Sequence, residues 1–445
     1  MRILIINGSP KGENSITLQT VLFVQKCFPD HEYAFLHVGQ RIRQLEKDFS
    51  DAEKQLAWAE LIVFSYPVYT FLVPSQLHRF IEIVKEKGID LSGKYATQVS
   101  TSKHFYDTTA HEFIRENCFD LGLGYIRGLS ADMEDLLKRK GQREARSFFH
   151  HVLWSVRKGY REDLPAKVVR QPLHTATLKD CSEKDQKQKK IVIVTDLSEE
   201  DTALKVMISR FQANIPYCSD VVNLREFAFS GGCLGCFHCA SDGTCIYRDG
   251  FDTLLRDRIQ KAEATVYAFK IRDHSMGYRF KMYDDRQFCN GHRTVTMGKP
   301  VGYLIDGYLE DEPNLRTLIE ARAQVGSNYL TGIVTNEHEV DEQIDRLASE
   351  IDYALSRRYE QPANFYGIGG MKIFRDLIYK MRGMMREDHR FYKEHGFYDF
   401  PQKDIGTIAG MYLVGAMMKG SVFKKHGDMM TKGMLMPYKK VIDSL

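Results

Sequence analysis

The chain opens on a short β-branched run, residues 2–6, that stops at Asn7-Gly8-Ser9-Pro10. A helical stretch follows from about Ser15 to Lys26. Residues 32–38 predict a second strand and residues 60–65 (ELIVFS) a third. Leu77, Phe80, Ile81 and Val84 recur at helical spacing, so residues 76–84 read as a helix. Residues 95–100 predict a fourth strand. Strands that alternate with helices imply βαβ units and a parallel sheet.

The pattern then breaks. Residues 157–189 are rich in Lys, Arg, Asp, Gln and Pro, which is the composition of a solvated linker. At Lys190-Ile191-Val192-Ile193-Val194-Thr195-Asp196 a second start mirrors the first strand. A helix is expected over about 200–213, strands over 220–224, 264–269, 300–305 and 332–335, and an amphipathic helix over 340–358. The fold expected is α/β: two tandem doubly wound parallel-sheet domains and a helical extension. The bounds are 1–156 for the first domain, 157–189 for the linker, 190–361 for the second domain and 362–445 for the extension. The extension repeats neither half. It holds eleven of the seventeen methionines and has 14 basic against 8 acidic residues. Core packing is the expected role of these methionines; a soft lid over an apolar substrate, or contact with a membrane surface, are the other readings.

Composition narrows the class. Net charge is +3 and charged residues are 27%, so the balance implies no nucleic-acid partner. The start lacks the form of a signal peptide. The best apolar run, residues 405–418, ends at Lys419, short of the ~18 residues of a membrane span. A cytoplasmic protein with no transmembrane segment is expected. Of nine cysteines, five are scattered (Cys27, Cys118, Cys181, Cys218 and Cys289) and read as small buried hydrophobes.

Three loops carry the first candidate chemistry. Asn7-Gly8-Ser9-Pro10-Lys11-Gly12-Glu13-Asn14-Ser15-Ile16-Thr17 joins strand one to helix one. Free amides at a helix N-terminus suit a phosphate. Ser9, Asn14, Ser15 and Thr17 add hydroxyl or amide donors, and Lys11 adds charge. The plain alternative is a strand-to-helix turn with Ser or Asn capping. The loops from Ser65 to Pro74 and from Ser100 to Tyr106 follow strands three and four. In a doubly wound sheet the ligand lies outside the carboxyl ends of the strands, where all three loops gather. Phosphate donors, aromatics and polar groups together suit a flat aromatic ring with a phosphate tail.

Gly8-Ser9-Pro10-Lys11 with Asn14-Ser15, and Pro67-Val68-Tyr69 with Pro74-Ser75-Gln76-Leu77, resemble the flavodoxin-like NAD(P)H-dependent flavin reductases over about residues 1–130. The resemblance implies that Ser9, Lys11, Asn14, Ser15 and Thr17 hold the phosphate of FMN. It implies that Pro67, Val68, Tyr69 and Thr70 line the isoalloxazine, and that Thr101 and Ser102 touch its polar edge.

The second candidate site is Cys233-Leu234-Gly235-Cys236-Phe237-His238-Cys239-Ala240-Ser241-Asp242-Gly243-Thr244-Cys245, of the form C-x2-C-x2-C-x5-C. Short spacings wrap a chain around one compact object, which fits a [4Fe–4S] cluster. Zinc is the rival, although zinc motifs set their two pairs of ligands further apart. The run resembles that of the iron–sulfur flavoproteins, which join a compact cysteine motif to a flavodoxin-like fold. His238 reads as a surface residue rather than a fifth ligand, and His104, His111, His150 and His151 as surface or packing residues. The second half lacks the phosphate loop: residues 195–201 are acidic and glycine-free and would repel a phosphate. Lys270-Ile271-Arg272-Asp273-His274-Ser275-Met276 replaces its ring loop.

The expectation is a fused pseudo-dimer, with flavin in the first copy and cluster in the second. Its activity would be that of an NAD(P)H-dependent oxidoreductase serving a small organic acceptor or a redox protein. Pairing of two such chains into a homodimer is compatible with it. The alternative is a non-catalytic binding or scaffold protein with a zinc-stapled insert.

Overall fold

The computed structural model describes residues 1–162, 170–179, 190–418 and 442–443. Cys181, the charged tract over 183–189 and residues 419–441 and 444–445 lie outside the described residues. The first sheet is built from β1 (Arg2–Asn7), β2 (Glu32–Leu36), β3 (Leu61–Pro67), β4 (Tyr95–Ser102), β5 (Gly124–Tyr125) and β6 (Leu129–Asp132). Its order is β2-β1-β3-β4-β5, with β6 also on β4, and every pairing is parallel. Helices α1 (Ile16–Cys27), α2 (Val38–Leu45), α3 (Ser50–Trp58), α4 (Ser75–Glu86), α5 (Asp107–Asp120) and α6 (Arg139–Lys158) cover its faces. Ile3, Leu4, Ile5 and Ile6 are fully buried, as strands covered on both faces must be.

The second sheet repeats this order. It holds β7 (Lys190–Thr195), β8 (Cys218–Asn223), β9 (Ala264–Lys270), β10 (Pro300–Asp306) and β11 (Tyr329–Thr335). The strands run β11-β10-β9-β7-β8, all parallel, with the first strand again flanked by the second and third. Its helices are α7 (Thr202–Asn214), two short ones, α8 (Cys239–Asp242) and α9 (Phe251–Thr253), then α10 (Gly277–Arg286), α11 (Pro313–Val325) and α12 (Val340–Arg357). The two tandem doubly wound domains are therefore as expected.

Equivalent elements of the two copies pack on each other. Helix α4 follows the third strand of its sheet and α10 the third strand of the other, and the two lie in contact. Likewise α5 meets α11, where Asn314 Nδ2 donates to the Thr109 carbonyl (3.0 Å). One hydrophobic cluster runs through both copies, from Leu77 and Phe80 to Phe280 and Tyr283. Each such buried side chain is worth roughly 1.5–3 kcal/mol. Residues Met1–Phe391 accordingly form one compact unit, and Tyr392–Leu445 a second.

The structure departs from the sequence pattern in three places. Strands β5 and β6 share the far edge of the first sheet and are too short to leave an apolar run. Within the polar tract read as linker, α6 continues to Lys158 and ends on Gly159 in the left-handed region (φ +73°), the common helix stop. Residues 170–179 are tied to the second copy: Ala176 is buried in its core, and the Thr177 amide donates to Asp341 (2.9 Å). Polarity there reflects ion-paired anchoring rather than solvation alone. Helix α13 (Phe365–Lys380) and the start of α14 (Arg386–Glu394) belong to the first unit, not to a separate extension. Phe374 packs on Phe105 with ring centres 4.2 Å apart. Helix α15 (Ile405–Met418) lies in the second unit, with Ile405, Met411 and Leu413 exposed. Among the described residues no helix is long and apolar enough to cross a membrane.

Candidate functional site

The first loop is shaped by its own side chains. Asn7 Oδ1 accepts the Ser9 amide (3.1 Å) and Asn7 Nδ2 donates to the Gly12 carbonyl (2.9 Å), which draws the turn closed. Ser15 caps α1 by accepting the Leu18 amide (3.4 Å). The amides of Ile16 and Thr17, at the start of α1, donate none of the described hydrogen bonds. The Thr17 hydroxyl is buried without a partner. Such a cradle presents donors and a positive dipole end to an anion.

The second loop turns sharply after β3. Tyr69 and Leu72 exchange backbone hydrogen bonds (2.8 and 3.0 Å), and Thr70 and Phe71 take positive φ to close the turn. At the third loop Thr101 also has a buried, unpartnered hydroxyl, and Lys103 is held at 3.0 Å by Asp132.

These loops open on one cavity of about 450 Å³, within the roughly 300–1,000 Å³ of small-molecule sites. Of the residues singled out from the sequence, Ser9, Lys11, Ser15, Thr17, Pro67, Val68, Tyr69, Thr70, Thr101 and Ser102 line it. Asn14 does not: it is exposed, and its amide turns back to the Lys11 carbonyl (3.1 Å). The unpartnered hydroxyls of Thr17 and Thr101 fit the donor pattern that a phosphate and a polar ring edge require.

All four cysteines of the compact run line the same cavity. The insert reaches across to the first copy through several contacts. Gln76 Nε2 donates to the Cys233 carbonyl (3.2 Å), and Lys11 sits 4.9 Å above the Phe237 ring. Gly235 takes φ +60°, and a Cβ there would run into the Tyr69 hydroxyl. Tyr69 thus has its backbone in the ring loop and its hydroxyl against the cysteine run. Cys233 Sγ accepts the Gly235 amide (3.4 Å), and Cys239 donates to the Phe288 carbonyl (3.0 Å). Burial pushes the Cys239 thiol up to about 11 and the Cys233 thiol higher still.

Four thiolates on one zinc ion at ~2.3 Å stand only ~3.8 Å apart. Among the described residues, the groups of three or more donor atoms lying within 4.8 Å of one another do not include these cysteines. His238 is exposed.

In the second copy the equivalent of the phosphate loop is filled from within. The Asp201 carboxylate accepts the Ser198 amide (2.8 Å) and hydroxyl (2.6 Å), and Arg272 lies 3.3 Å from it. The donors that a phosphate would use are taken by the chain's own carboxylate.

Several lining residues were not legible in the sequence. Cys289, grouped with the scattered cysteines, is buried as expected but also faces the cavity. Burial pushes its thiol up to about 12. Arg286, Phe288 and Arg322 come from α10, the turn after it and α11, while Met381 and Met385 come from the stretch read as extension. None of them stands in a motif. Cys118 is buried, while Cys27 and Cys218 are only partly so.

Residues 1–128 match the model of a protein family described as a flavodoxin-like fold. The chain is 25% identical over 176 residues to an iron–sulfur flavoprotein of Archaeoglobus fulgidus, a match that covers 37% of this chain and 79% of that one. Among solved structures, an FMN-dependent NADH-azoreductase of Bacillus anthracis, in complex with FMN, is 12% identical and covers 36% of this chain and 99% of its own, with a TM-score of 0.28. An NAD(P)H:quinone oxidoreductase of Methanothermobacter marburgensis is 12% identical over 36% and 96%, with a TM-score of 0.27. In its first copy the chain is thus similar to proteins of the flavodoxin-like fold, and over 176 residues to an iron–sulfur flavoprotein.

Proposed function

We infer that the chain is an NAD(P)H-dependent FMN oxidoreductase. It would pass electrons between FMN and a [4Fe–4S] cluster, and on to a small organic acceptor or a redox protein. The observation that carries this reading is the shared cavity, lined at once by the three flavin loops of the first copy and the four cysteines of the second. Similarity to an iron–sulfur flavoprotein supports the same pairing.

Ser9, Lys11, Ser15 and Thr17 are the residues assigned to the phosphate. Pro67, Val68, Tyr69 and Thr70 would flank the ring, and Thr101 and Ser102 its polar edge. Cys233, Cys236, Cys239 and Cys245 would hold the cluster. FMN supplies two-electron exchange with a nicotinamide and one-electron exchange with a cluster, while the protein supplies position and electrostatics. Tyr69 keeps the two sites adjacent, because its hydroxyl abuts the Gly235 backbone. The walls that shelter the cavity are aromatic and apolar: Phe71, Phe105, Phe288, Phe374 and Met385.

The test is anaerobic purification followed by flavin, iron and sulfide analysis and stopped-flow reduction by NADH and NADPH. One FMN and four irons per chain are expected, with flavin reduced first and cluster next. In the C236S/C239S double variant the iron should be lost while flavin reduction persists. A colourless protein that carries zinc at the cysteines refutes the reading.

A further inference from the structure

The seam between the two copies holds a second set of metal-ligand side chains, away from the cavity. His78 and Glu82 stand one turn apart on α4, and Asp273 comes from the loop between β9 and α10. One donor atom from each lies within 4.8 Å of the others. His78 Nε2 is 3.6 Å from Glu82 Oε1 and 3.9 Å from Asp273 Oδ2. These separations are too long for hydrogen bonds. They are close to the ~3.3 Å between neighbouring donors around a tetrahedral ion with bonds of ~2.0–2.1 Å.

The histidine itself points to an occupant. His78 is fully buried, and neither ring nitrogen has a hydrogen-bond partner. Buried polar groups are nearly always paired, so one aimed at two carboxylates and bonded to neither is anomalous. The adjacent cluster shows what a satisfied histidine looks like here. His274, next in the loop, has Nδ1 3.0 Å from Glu312 and Nε2 3.0 Å from Asp120. An imidazolium accounts for that cluster without a metal; nothing comparable serves His78. The other contacts of the carboxylates leave these facing atoms available. Glu82 Oε2 meets Arg79 (3.3 Å), and Asp273 Oδ1 meets Lys85 (3.0 Å). Only Glu82 Oε1 has a further bond, from the Tyr278 amide (2.7 Å). Behind the loop, Asn117 Nδ2 reaches the Asp273 carbonyl (3.4 Å) while its buried Oδ1 stays unpartnered.

We propose that His78, Glu82 and Asp273 bind a divalent cation of the zinc type that staples α4 of the first copy to the β9–α10 loop of the second. One imidazole and two carboxylates suit zinc, with the fourth position left for water. Arg79 and Lys85 share these carboxylates with the ion. Lys85 is drawn off in part by Asp120, at 2.6 Å.

The test uses the full chain, purified anaerobically, stripped with a mild chelator and titrated with zinc chloride. His78→Leu, Glu82→Gln and Asp273→Asn are compared with the wild type. All four proteins keep the cysteines, so zinc taken up there cancels in the comparison. The wild type should bind one zinc more than each variant, and its melting temperature should rise with zinc while theirs do not. Each variant should weaken that binding at least ~10-fold, the smallest loss usual even for residues that only support a ligand. X-ray absorption at the zinc edge of the wild type should give nitrogen and oxygen neighbours at ~2.0–2.1 Å. Equal zinc in all four proteins overturns the proposal and leaves His78 as a neutral core residue packed on Phe113. A zinc spectrum with only sulfur neighbours overturns it whether or not the variants fold.

Discussion

Replacing Arg286 with Met tests how the cysteine insert is held. Arg286 is 1% exposed. It donates to both oxygens of Asp249 (2.8 and 2.9 Å) and to the Gly231 carbonyl (2.9 Å), two residues before the first cysteine. Its guanidinium lies 4.5 Å from the Tyr247 ring centre and 4.9 Å from that of Phe251. Two independent routes give the size of the effect. Breaking a buried ion pair by removing one partner costs ~3–5 kcal/mol, because the other charge stays buried. Linkage gives a similar scale. Burial alone would raise Asp249, but Arg286 and the Ser230 and Phe251 amides outweigh it and hold the carboxyl at about 2. The drop from an ordinary aspartate is about two units at ~1.4 kcal/mol each, so ionised Asp249 favours the fold by ~2–3 kcal/mol. Because the folded value lies below the unfolded one, that contribution is present above pH ~4 and lost as pH falls towards 2. With a urea slope of ~3 kcal/mol/M, a loss of ~3 kcal/mol moves the unfolding midpoint by ~1 M. The assay is urea unfolding of wild type, R286M and D249N/R286M at pH 7 and pH 3, with iron content measured alongside. R286M should lose ~1 M at pH 7 and less at pH 3. The double variant should recover part of it, since no charge is left unpaired. A shift below ~0.3 M, or a difference that does not change with pH, refutes the reasoning.

Replacing Ser9 and Ser15 with Asp places two carboxylates in the phosphate cradle and should expel FMN; full flavin content in that variant refutes the phosphate assignment. Gly235→Ala forces a side chain into the left-handed region, at ~1–2 kcal/mol, and against the Tyr69 hydroxyl. Iron occupancy should fall and be partly restored by a second change, Tyr69→Phe; unchanged iron in the single variant means the contact does not shape the cysteine run. Truncation after Phe391 keeps every residue that lines the cavity. Flavin and iron contents should stay at wild-type levels, and loss of either would make the second compact unit part of the site.

The parts of the molecule that were legible in the sequence are those where local chemistry dictates conformation. Buried parallel strands leave unbroken β-branched runs, so β1 and β7 were visible at once, and the acidic 195–201 loop announced a lost phosphate site. The cysteine run was readable because its four members stand within thirteen residues. What stayed hidden depends on tertiary contact. Helices α3 and α6 are amphipathic but carry many charges, and their apolar stripes blend into polar sequence. Arg286, Phe288 and Cys289 reach the cavity only because α10 packs on α4. Asn14 shows the converse error: a donor of suitable type, within the right loop, whose backbone turn sends it to solvent. Helix α13 and the methionines that follow it were read as part of an extension because nothing local marks a helix that docks on Phe105.

The pairing of equivalent helices explains why the three loops of the first copy and the cysteine run of the second share a cavity. When α4 meets α10 and α5 meets α11, the copies are related by an approximate two-fold, and each surface patch faces its own counterpart. The segment after the second strand of one copy then lies against the ring loop after the third strand of the other. In the first copy that segment is shorter and helical, α2 and α3. In the second copy it is the long insert that carries the four cysteines, and it lands on Tyr69 and Gln76. A symmetric arrangement would place two flavin cradles and two facing segments. Here the second cradle is filled by Asp201 and Arg272, which leaves its counterpart segment in the first copy nothing to cover and no reason to be long. The length of the insert and the loss of the second cradle are then two sides of one asymmetry. It can be checked by restoring the cradle: replacing Asp201 with Ser and Arg272 with Gly removes the internal ion pair. If the insert evolved to serve the first cradle alone, that change should destabilise the second copy without adding a second FMN. Binding of two FMN per chain would refute the argument.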